Sequence, residues 1–161
     1  MKTCIIFNSY SGNTRGVAEA VHAVCGGKLI EVKSNEYSSR LTAYTIGCYR
    51  AMKGVSDPIE PAVIDVTPDD LIVIGTPVWA GRATPAINAA VAALEGCKGK
   101  TAVIFATCGG KERETLPLLK KALEAKGVTV AGAFVFDKTG LKDPYRINAM
   151  ISAIKTAGNS P

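Results

Sequence analysis

Apolar residues along this chain come in two patterns: short continuous runs, and stretches in which they recur every three or four positions. Cys4 to Phe7, Leu29 to Val32, Leu71 to Ile74, Thr101 to Ala106 and Val128 to Phe136 are runs with β-branched content, bounded by turn residues. They predict five buried strands. Between them, Val17, Ala18, Val21, Val24 and Cys25 share one face of a helix that Gly26-Gly27 ends. Leu41, Tyr44, Thr45, Cys48, Tyr49 and Met52 fall at helical offsets and predict a helix near residues 40–53. Residues 54–68 carry Pro58, Pro61 and Pro68 and predict an extended loop. Thr84-Pro85 opens the next helix as N-cap and first-turn proline, with Ile87, Val91 and Leu94 on its apolar face. Leu116, Leu119 and Leu123 mark another, closed by Gly127. Ile147, Met150, Ile151 and Ile154 mark the last, capped by Asp143-Pro144.

Continuous apolar strands alternating with helices imply an α/β fold, a doubly wound parallel sheet covered on both faces. The 161 residues suit a single domain spanning 1–161. In such sheets ligands bind beyond the carboxyl ends of the strands. That rule nominates three loops, residues 8–14, 75–82 and 107–111, all polar or glycine-rich.

Composition narrows the function classes. With 47% hydrophobic and 20% charged residues, global disorder is excluded. No apolar run approaches the roughly 20 residues of a membrane span, and Cys4 to Phe7 is too short for a signal sequence. A cytoplasmic protein without membrane partners is expected. The net charge of +5 raises nucleic-acid binding, but the cations are scattered and no basic run exceeds Lys120-Lys121. A solvated basic surface, with no nucleic-acid partner, is the expectation. Cys4, Cys25, Cys48, Cys97 and Cys108 form no C-x-x-C pair, and His22 is the only histidine. Reduced thiols and no metal site are expected.

The first loop reads Asn8-Ser9-Tyr10-Ser11-Gly12-Asn13-Thr14-Arg15 and joins a strand to a helix start. Hydroxyl groups and backbone amides at a helix N-terminus suit a phosphate. The helix field contributes about 0.3–1 kcal/mol, up to about 2 when partly buried, so neutral hydrogen bonds must supply the rest. A capped helix start with a polar turn is the plainer alternative. Other phosphate loops are excluded by residue type. A dinucleotide fingerprint needs three glycines and this loop has one; a Walker loop needs Gly-Lys-Ser/Thr. The first and third strands end without the aspartate of a phosphoacceptor site. Ser9 to Arg15 has tyrosine-phosphatase spacing, but serine replaces the thiolate nucleophile. The second loop, Gly75 to Arg82, holds the only tryptophan, Trp79. A core aromatic is the plain reading, against which stands its place at a strand's carboxyl end.

Ser9-Tyr10-Ser11-Gly12-Asn13-Thr14 resembles the flavodoxin phosphate signature, Thr/Ser-x-Thr/Ser-Gly-Asn-Thr. Gly75-Thr76-Pro77-Val78-Trp79-Ala80-Gly81 is similar to the flavin-stacking loop of flavodoxins and flavodoxin-like FMN reductases. The element order matches over nearly the whole chain, most weakly between residues 34 and 66. The resemblance implies a flavodoxin-like five-stranded sheet in order 2-1-3-4-5, with noncovalent flavin mononucleotide (FMN) at its switch point. It implies that Ser9, Ser11, Asn13 and Thr14 hold the phosphate, helped by the amides of Tyr10 and Gly12. Pro77, Val78, Trp79, Ala80 and Gly81 would line the isoalloxazine, and Thr107, Cys108, Gly109 and Gly110 would form a third contact loop. In the family a backbone carbonyl just after the stacking residue turns toward flavin N5, which here points to Ala80.

The chain departs from flavodoxins at three places. Cys108-Gly109-Gly110 stands where many carry a second aromatic, leaving one flavin face bare. The chain is basic, and Arg82 stands where an acidic residue is frequent. A cation about 8 Å from a flavin is worth about 2 kcal/mol at an effective dielectric near 20, a rise on the order of 50–100 mV in potential. Residues 128–136 leave no room for the insertion of long flavodoxins. No catalytic acid or base is evident. The first reading is an FMN-binding electron-transfer protein cycling through one-electron states with a redox partner protein. The second is an NAD(P)H-dependent FMN or quinone reductase, and the third a scaffold without flavin. Cys108 is either redox-active or a plain polar contact. Tyr37, Tyr44 and Tyr49, beside Arg40 and Arg50, are placed to cover the flavin, within one chain or across a homodimer.

Overall fold

The computed structural model describes residues 1–37 and 39–158. β1 (Thr3–Phe7), α1 (Asn13–Cys25) and β2 (Lys28–Glu31) form the first parallel unit. There follow α2 (Arg40–Thr42), a π-helical turn (Ala43–Gly47), α3 (Cys48–Met52) and β3 (Ile64–Asp65). Next come β4 (Leu71–Trp79), β5 (Arg82–Ala83), α4 (Pro85–Ala92) and β6 (Leu94–Glu95). β7 (Thr101–Thr107), α5 (Thr115–Ala125), β8 (Thr129–Phe136) and α6 (Pro144–Gly158) complete the order.

The five long strands pair in parallel in the order β2-β1-β4-β7-β8. This is the expected 2-1-3-4-5 sheet. The pleat sends alternate residues to opposite faces. Cys4 and Ile6 join Ile72, Ile74 and Ile104 beneath α4 and α5, while Ile5 and Phe7 join Val73, Val103 and Phe105 beneath α1 and α6. Both faces are therefore apolar, and the strand runs read as continuous rather than alternating.

Three expectations change. Leu94 leaves its helix: α4 ends at Ala92, and Leu94 pairs with Ile64 in a separate two-stranded sheet. Ile64 N–H donates to the Ala93 carbonyl and Val66 N–H to that of Glu95, so ladder bonds to a distant segment override local helical preference. That ladder places β3 inside the segment expected to be loop. Val24, expected on the buried face of α1, is exposed.

The helix near 40–53 exists but is broken and inside out. Its small residues Ala43, Gly47 and Ala51, four apart, face inward and are buried. The large apolar residues Leu41, Tyr44, Tyr49 and Met52 are exposed. A small-residue stripe lets the backbone approach what lies beneath it. The π turn contains Ala43 and Gly47; such turns shift the register of a helix by one residue and gather at functional sites.

Gly75 shows how tightly the sheet centre is packed. A Cβ there would lie 2.2 Å from Phe105 Cζ. The Phe105 ring is fully buried and meets Phe136 edge-on at 6.0 Å. Gly75→Ala is expected to destabilise the fold by about 1–3 kcal/mol through overpacking, measured by equilibrium denaturation. A change below about 0.5 kcal/mol would show that the ring yields freely.

Candidate functional site

The carboxyl ends of β1, β2 and β4 are tied together by side chains. Asn8 N–H donates to the Gly75 carbonyl at 3.2 Å, and its Nδ2 donates to the Val32 carbonyl at 2.9 Å. Thr84 Oγ1 donates to Asn8 Oδ1 at 3.0 Å and caps α4 by accepting from Ile87 N–H. From this anchor the first loop runs outward. Gly12 adopts φ 93°, left-handed, with nothing within 4 Å of where a Cβ would lie. No side chain caps α1 at Gly12, and no acidic residue occupies the first turn. No carboxylate therefore offsets the positive end of the macrodipole at this helix start. Ser11 and Asn13 are exposed beside them. Ser9 Oγ accepts from Arg15 N–H at 3.2 Å, which leaves its hydroxyl proton to donate. Thr14 turns inward: its Oγ1 shares a hydrogen bond with Thr107 Oγ1 at 2.8 Å. The first and third loops are joined there.

The second loop is the tip of a hairpin. Ala80 (φ 51°) and Gly81 (φ 76°) are both left-handed, and Val78 and Trp79 pair with Ala83 and Arg82. Two central residues at positive φ match a type I′ turn. A non-glycine residue in this region costs roughly 1–2 kcal/mol, so Ala80 is held under strain. Trp79 is clamped edge-on by Tyr10 at 5.7 Å and Tyr37 at 5.4 Å. A Cβ on Gly47 would lie 2.5 Å from Trp79 Cζ3, so the π turn rests directly on the indole.

A cleft of about 930 Å³ opens at this point. Tyr10 and Ser11 line it from the first loop, and Val78, Trp79 and Ala80 from the second. Tyr37, Arg40, Leu41, Ala43, Tyr44 and Cys48 close it from the segment after β2. A smaller polar cleft of about 210 Å³ lies on the other side of Tyr10, Tyr37 and Trp79, with Ser9, Arg15 and Lys33 on its walls. The aromatic trio lines both. Of the residues nominated from sequence, Tyr10, Ser11, Val78, Trp79 and Ala80 thus meet in the main cleft, and Ser9 in the smaller one. Gly12, Asn13 and Thr14 form the adjoining helix start, Pro77 precedes the hairpin and Gly81 lies at its tip. Thr107, Cys108, Gly109 and Gly110 line neither cleft. Ala43 and Cys48 were not nominated; their signal was the apolar spacing of the 40–53 helix.

A buried ion pair holds the cleft's covering segment. The Asp57 carboxylate is fully buried; its Oδ1 accepts from Arg50 Nε at 2.9 Å and lies 2.8 Å from Nη2. Ser34 Oγ donates to Oδ2 at 3.3 Å, and Asp57 N–H donates to the Pro85 carbonyl. Burial, then the neighbouring Asp57 carboxylate, push the Tyr37 phenol up to about 12. Burial raises the Cys48 thiol, against the Ala80 amide, which lowers it. Burial likewise raises Cys108, whose Sγ donates to the Gly110 carbonyl at 3.1 Å. Both thiols are thereby kept protonated, which favours the plain polar reading of Cys108.

Arg82 sits beside the stacking loop, opposite Trp79 in the hairpin, but it is paired with a carboxylate. Its Nη2 lies 2.9 Å from Glu114 Oε2, and it lines a different cleft, with Ser56 and Asn88. The pairing with Glu114 weakens its field at the main cleft. Among the described residues, no helix is long and apolar enough to cross a membrane.

No family model matches the chain, and no curated protein matches it. Solved structures do. A protein from Bacteroides eggerthii superposes with a TM-score of 0.76 at 23% identity, covering 96% of this chain and 98% of the other. A flavoprotein from Lactobacillus acidophilus, solved in complex with FMN, superposes at 0.71 with 24% identity, over 88% and 96%. An NADH:FMN oxidoreductase in apo form superposes at 0.66 with 18% identity, over 100% and 92%. Flavodoxins are also among the matches. The chain has the flavodoxin-like fold.

Two outcomes test the clamp. Gly47→Ala is expected to drive the indole from its seat, red-shifting the emission of the single tryptophan and destabilising by about 1–3 kcal/mol. Unchanged emission would refute the close contact. The folded chain holds the Tyr37 proton more tightly than the unfolded chain does. Its contribution to stability is complete below its ordinary value of 10.0 and is lost as pH rises towards about 12. The Tyr37 hydroxyl has no hydrogen-bond partner at proper geometry. Tyr37→Phe should therefore match the parent's denaturant midpoint at neutral pH and lose less stability through the alkaline window. Parallel alkaline loss in both would assign that transition to other groups.

Proposed function

We propose that this chain binds FMN noncovalently at the carboxyl end of its sheet and acts as an electron-transfer protein. One observation carries the reading: a helix start without acidic residues and rich in hydrogen-bond donors adjoins an aromatic-lined cleft. The donor set fits the group. Amides at the start of α1, with Ser9, Ser11 and Asn13, are neutral donors suited to a phosphate. Gly12, at φ 93° with open space around it, allows close backbone approach. Trp79 and Tyr10 offer aromatic surface, and Val78 and Ala80 apolar surface, to a flat ring. The likeness to a flavoprotein solved with FMN supports the same reading.

Bound FMN supplies one- and two-electron transfer. The protein's part is to bind, orient and shield. Tyr37 and Cys48 are both held in their neutral forms at the cleft wall, so neither is poised to exchange a proton near neutral pH. The strained hairpin at Ala80 keeps its peptide against the cleft. Tyr37, Arg40, Leu41, Ala43, Tyr44 and Cys48 close the cleft over Trp79.

A second reading, an NAD(P)H-dependent FMN or quinone reductase, draws on the size of the cleft. At about 930 Å³ it lies near the top of the roughly 300–1,000 Å³ range of small-molecule pockets, leaving room for a second flat reactant, with Arg40 at hand for an anion. The absorbance spectrum after FMN reconstitution, with quenching of Trp79 emission, tests binding. Covering about 100 Å² of flavin is worth roughly 2–3 kcal/mol, so Trp79→Ala should weaken FMN binding about 30- to 150-fold. A chain that stays colourless with excess FMN would sink both readings. Steady-state NAD(P)H oxidation with a quinone separates them, because a carrier turns over very slowly.

A further inference from the structure

The exposed apolar stripe of residues 41–55 has no partner in the fold. Leu41 and Tyr44 border the cleft, so a ligand there covers them in part. Ile46, Tyr49 and Met52 do not line it, yet they are 54%, 58% and 51% exposed. Their spacing of three places them along one side of the helical segment. Val55, at its end, is exposed as well. A bound flavin leaves this part of the stripe bare, and contiguous exposed apolar surface beside a functional cleft marks an interaction site.

Charge identifies the kind of partner. From Tyr37 to Ser56 the chain contains no Asp or Glu, while Arg40, Arg50 and Lys53 lie in that stretch. Arg50 is committed to Asp57. Among the described residues, neither Arg40 nor Lys53 has a carboxylate partner; Lys53 lies 5.8 Å from the centre of the Tyr49 ring. A second copy would bring the same cations together in a chain of net charge +5. Tyr, Met and Arg with few Lys and no acids is also the composition of protein-interface cores. Two free cations give only a weak attraction to an anionic membrane, and the stripe borders a concave cleft, which a flat bilayer cannot fill.

We propose that this stripe is the docking face for a small acidic electron-transfer protein, its apolar centre seated on Tyr49 and Met52 and its carboxylates on Arg40 and Lys53. Docking there brings the partner beside Trp79 and Tyr44 at the cleft mouth. As a route for electrons this rests on the FMN reading; as a docking face it does not.

The probe is an acidic [2Fe–2S] ferredoxin titrated against the full chain, with and without FMN, at low and high salt, with basic cytochrome c as the opposite-charge control. Ferredoxin binding is expected in both states, weakening about tenfold or more with salt, and cytochrome c should bind far more weakly. Lys53→Glu and the pair Tyr49→Ser with Met52→Ser should each weaken ferredoxin binding about tenfold without changing FMN affinity. Failure to bind FMN while ferredoxin binding persists would remove the flavin reading and leave the docking face standing. The proposal is overturned by variants that bind ferredoxin like the parent, or by absence of ferredoxin binding at low salt. Self-association abolished by Tyr49→Ser, or vesicles of anionic lipid binding through the same residues, would overturn it by assigning the face to another occupant.

Discussion

The Arg50–Asp57 pair is the interaction on which the site depends. A buried carboxylate costs several kcal/mol unless it is paired and hydrogen-bonded. Here Arg50, Ser34 and a backbone bond from Asp57 to Pro85 offset that cost. The pair joins three separate pieces of chain: the end of β2's loop, the C-terminal part of the broken helix, and the start of α4. Without it the covering helix would be held down mainly by its small inward side chains, by Tyr37 against Trp79 and by the bond from Asn88 to the Val55 carbonyl. Its large apolar groups point outward and give it no core to fall into.

Trp79 inherits its orientation from this arrangement. Tyr37 stands between Asp57 and the indole, and Gly47 rests on the ring. A side chain at Gly47 would push the indole away, and a larger residue at Ala43 or Ala51 would lift the whole cover. The inside-out helix follows as a packing consequence. The inward face must be thin because the tryptophan occupies the space beneath, so bulk is displaced to the solvent side. The π turn lies where the chain changes from lining the cleft at Ala43 and Tyr44 to touching Trp79 at Gly47.

The main sheet was legible in the sequence because its central strands are buried on both faces and read as short continuous apolar runs such as Leu71 to Ile74. The phosphate-type loop was legible because Ser, Gly, Asn and Thr at a strand–helix junction have few structural reasons to coincide. The two-stranded sheet of β3 and β6 was not, since two residues leave no periodicity and Leu94 is equally apolar as the end of a helix. The covering segment misled for a definite reason. Periodicity locates the large apolar side chains but not the direction they face, and here the small residues at the complementary spacing were the inward ones. Arg82 misled in a similar way: its position beside the stacking loop is local, whereas its pairing with Glu114 depends on a residue more than thirty positions away.

That pairing shifts where the site's charge comes from. With Arg82 paired, and besides Arg15 and Lys33 on the smaller cleft and Arg113 against Gly81, the positive groups near the main cleft are the start of α1 and, on the covering segment, Arg40 and Lys53. The helix start is fixed and aimed at the loop, and its influence falls off within about one turn. The two side chains stand at the surface, where salt screens them within roughly 10 Å. A ligand's phosphate would thus feel the first source and an approaching partner the second. The upward shift in flavin potential expected from a cation at position 82 is reduced by its pairing with Glu114. If the chain binds FMN and docks a partner as proposed, binding strength and partner choice fall to different residues of one short stretch of surface, so each can change by substitution without the other.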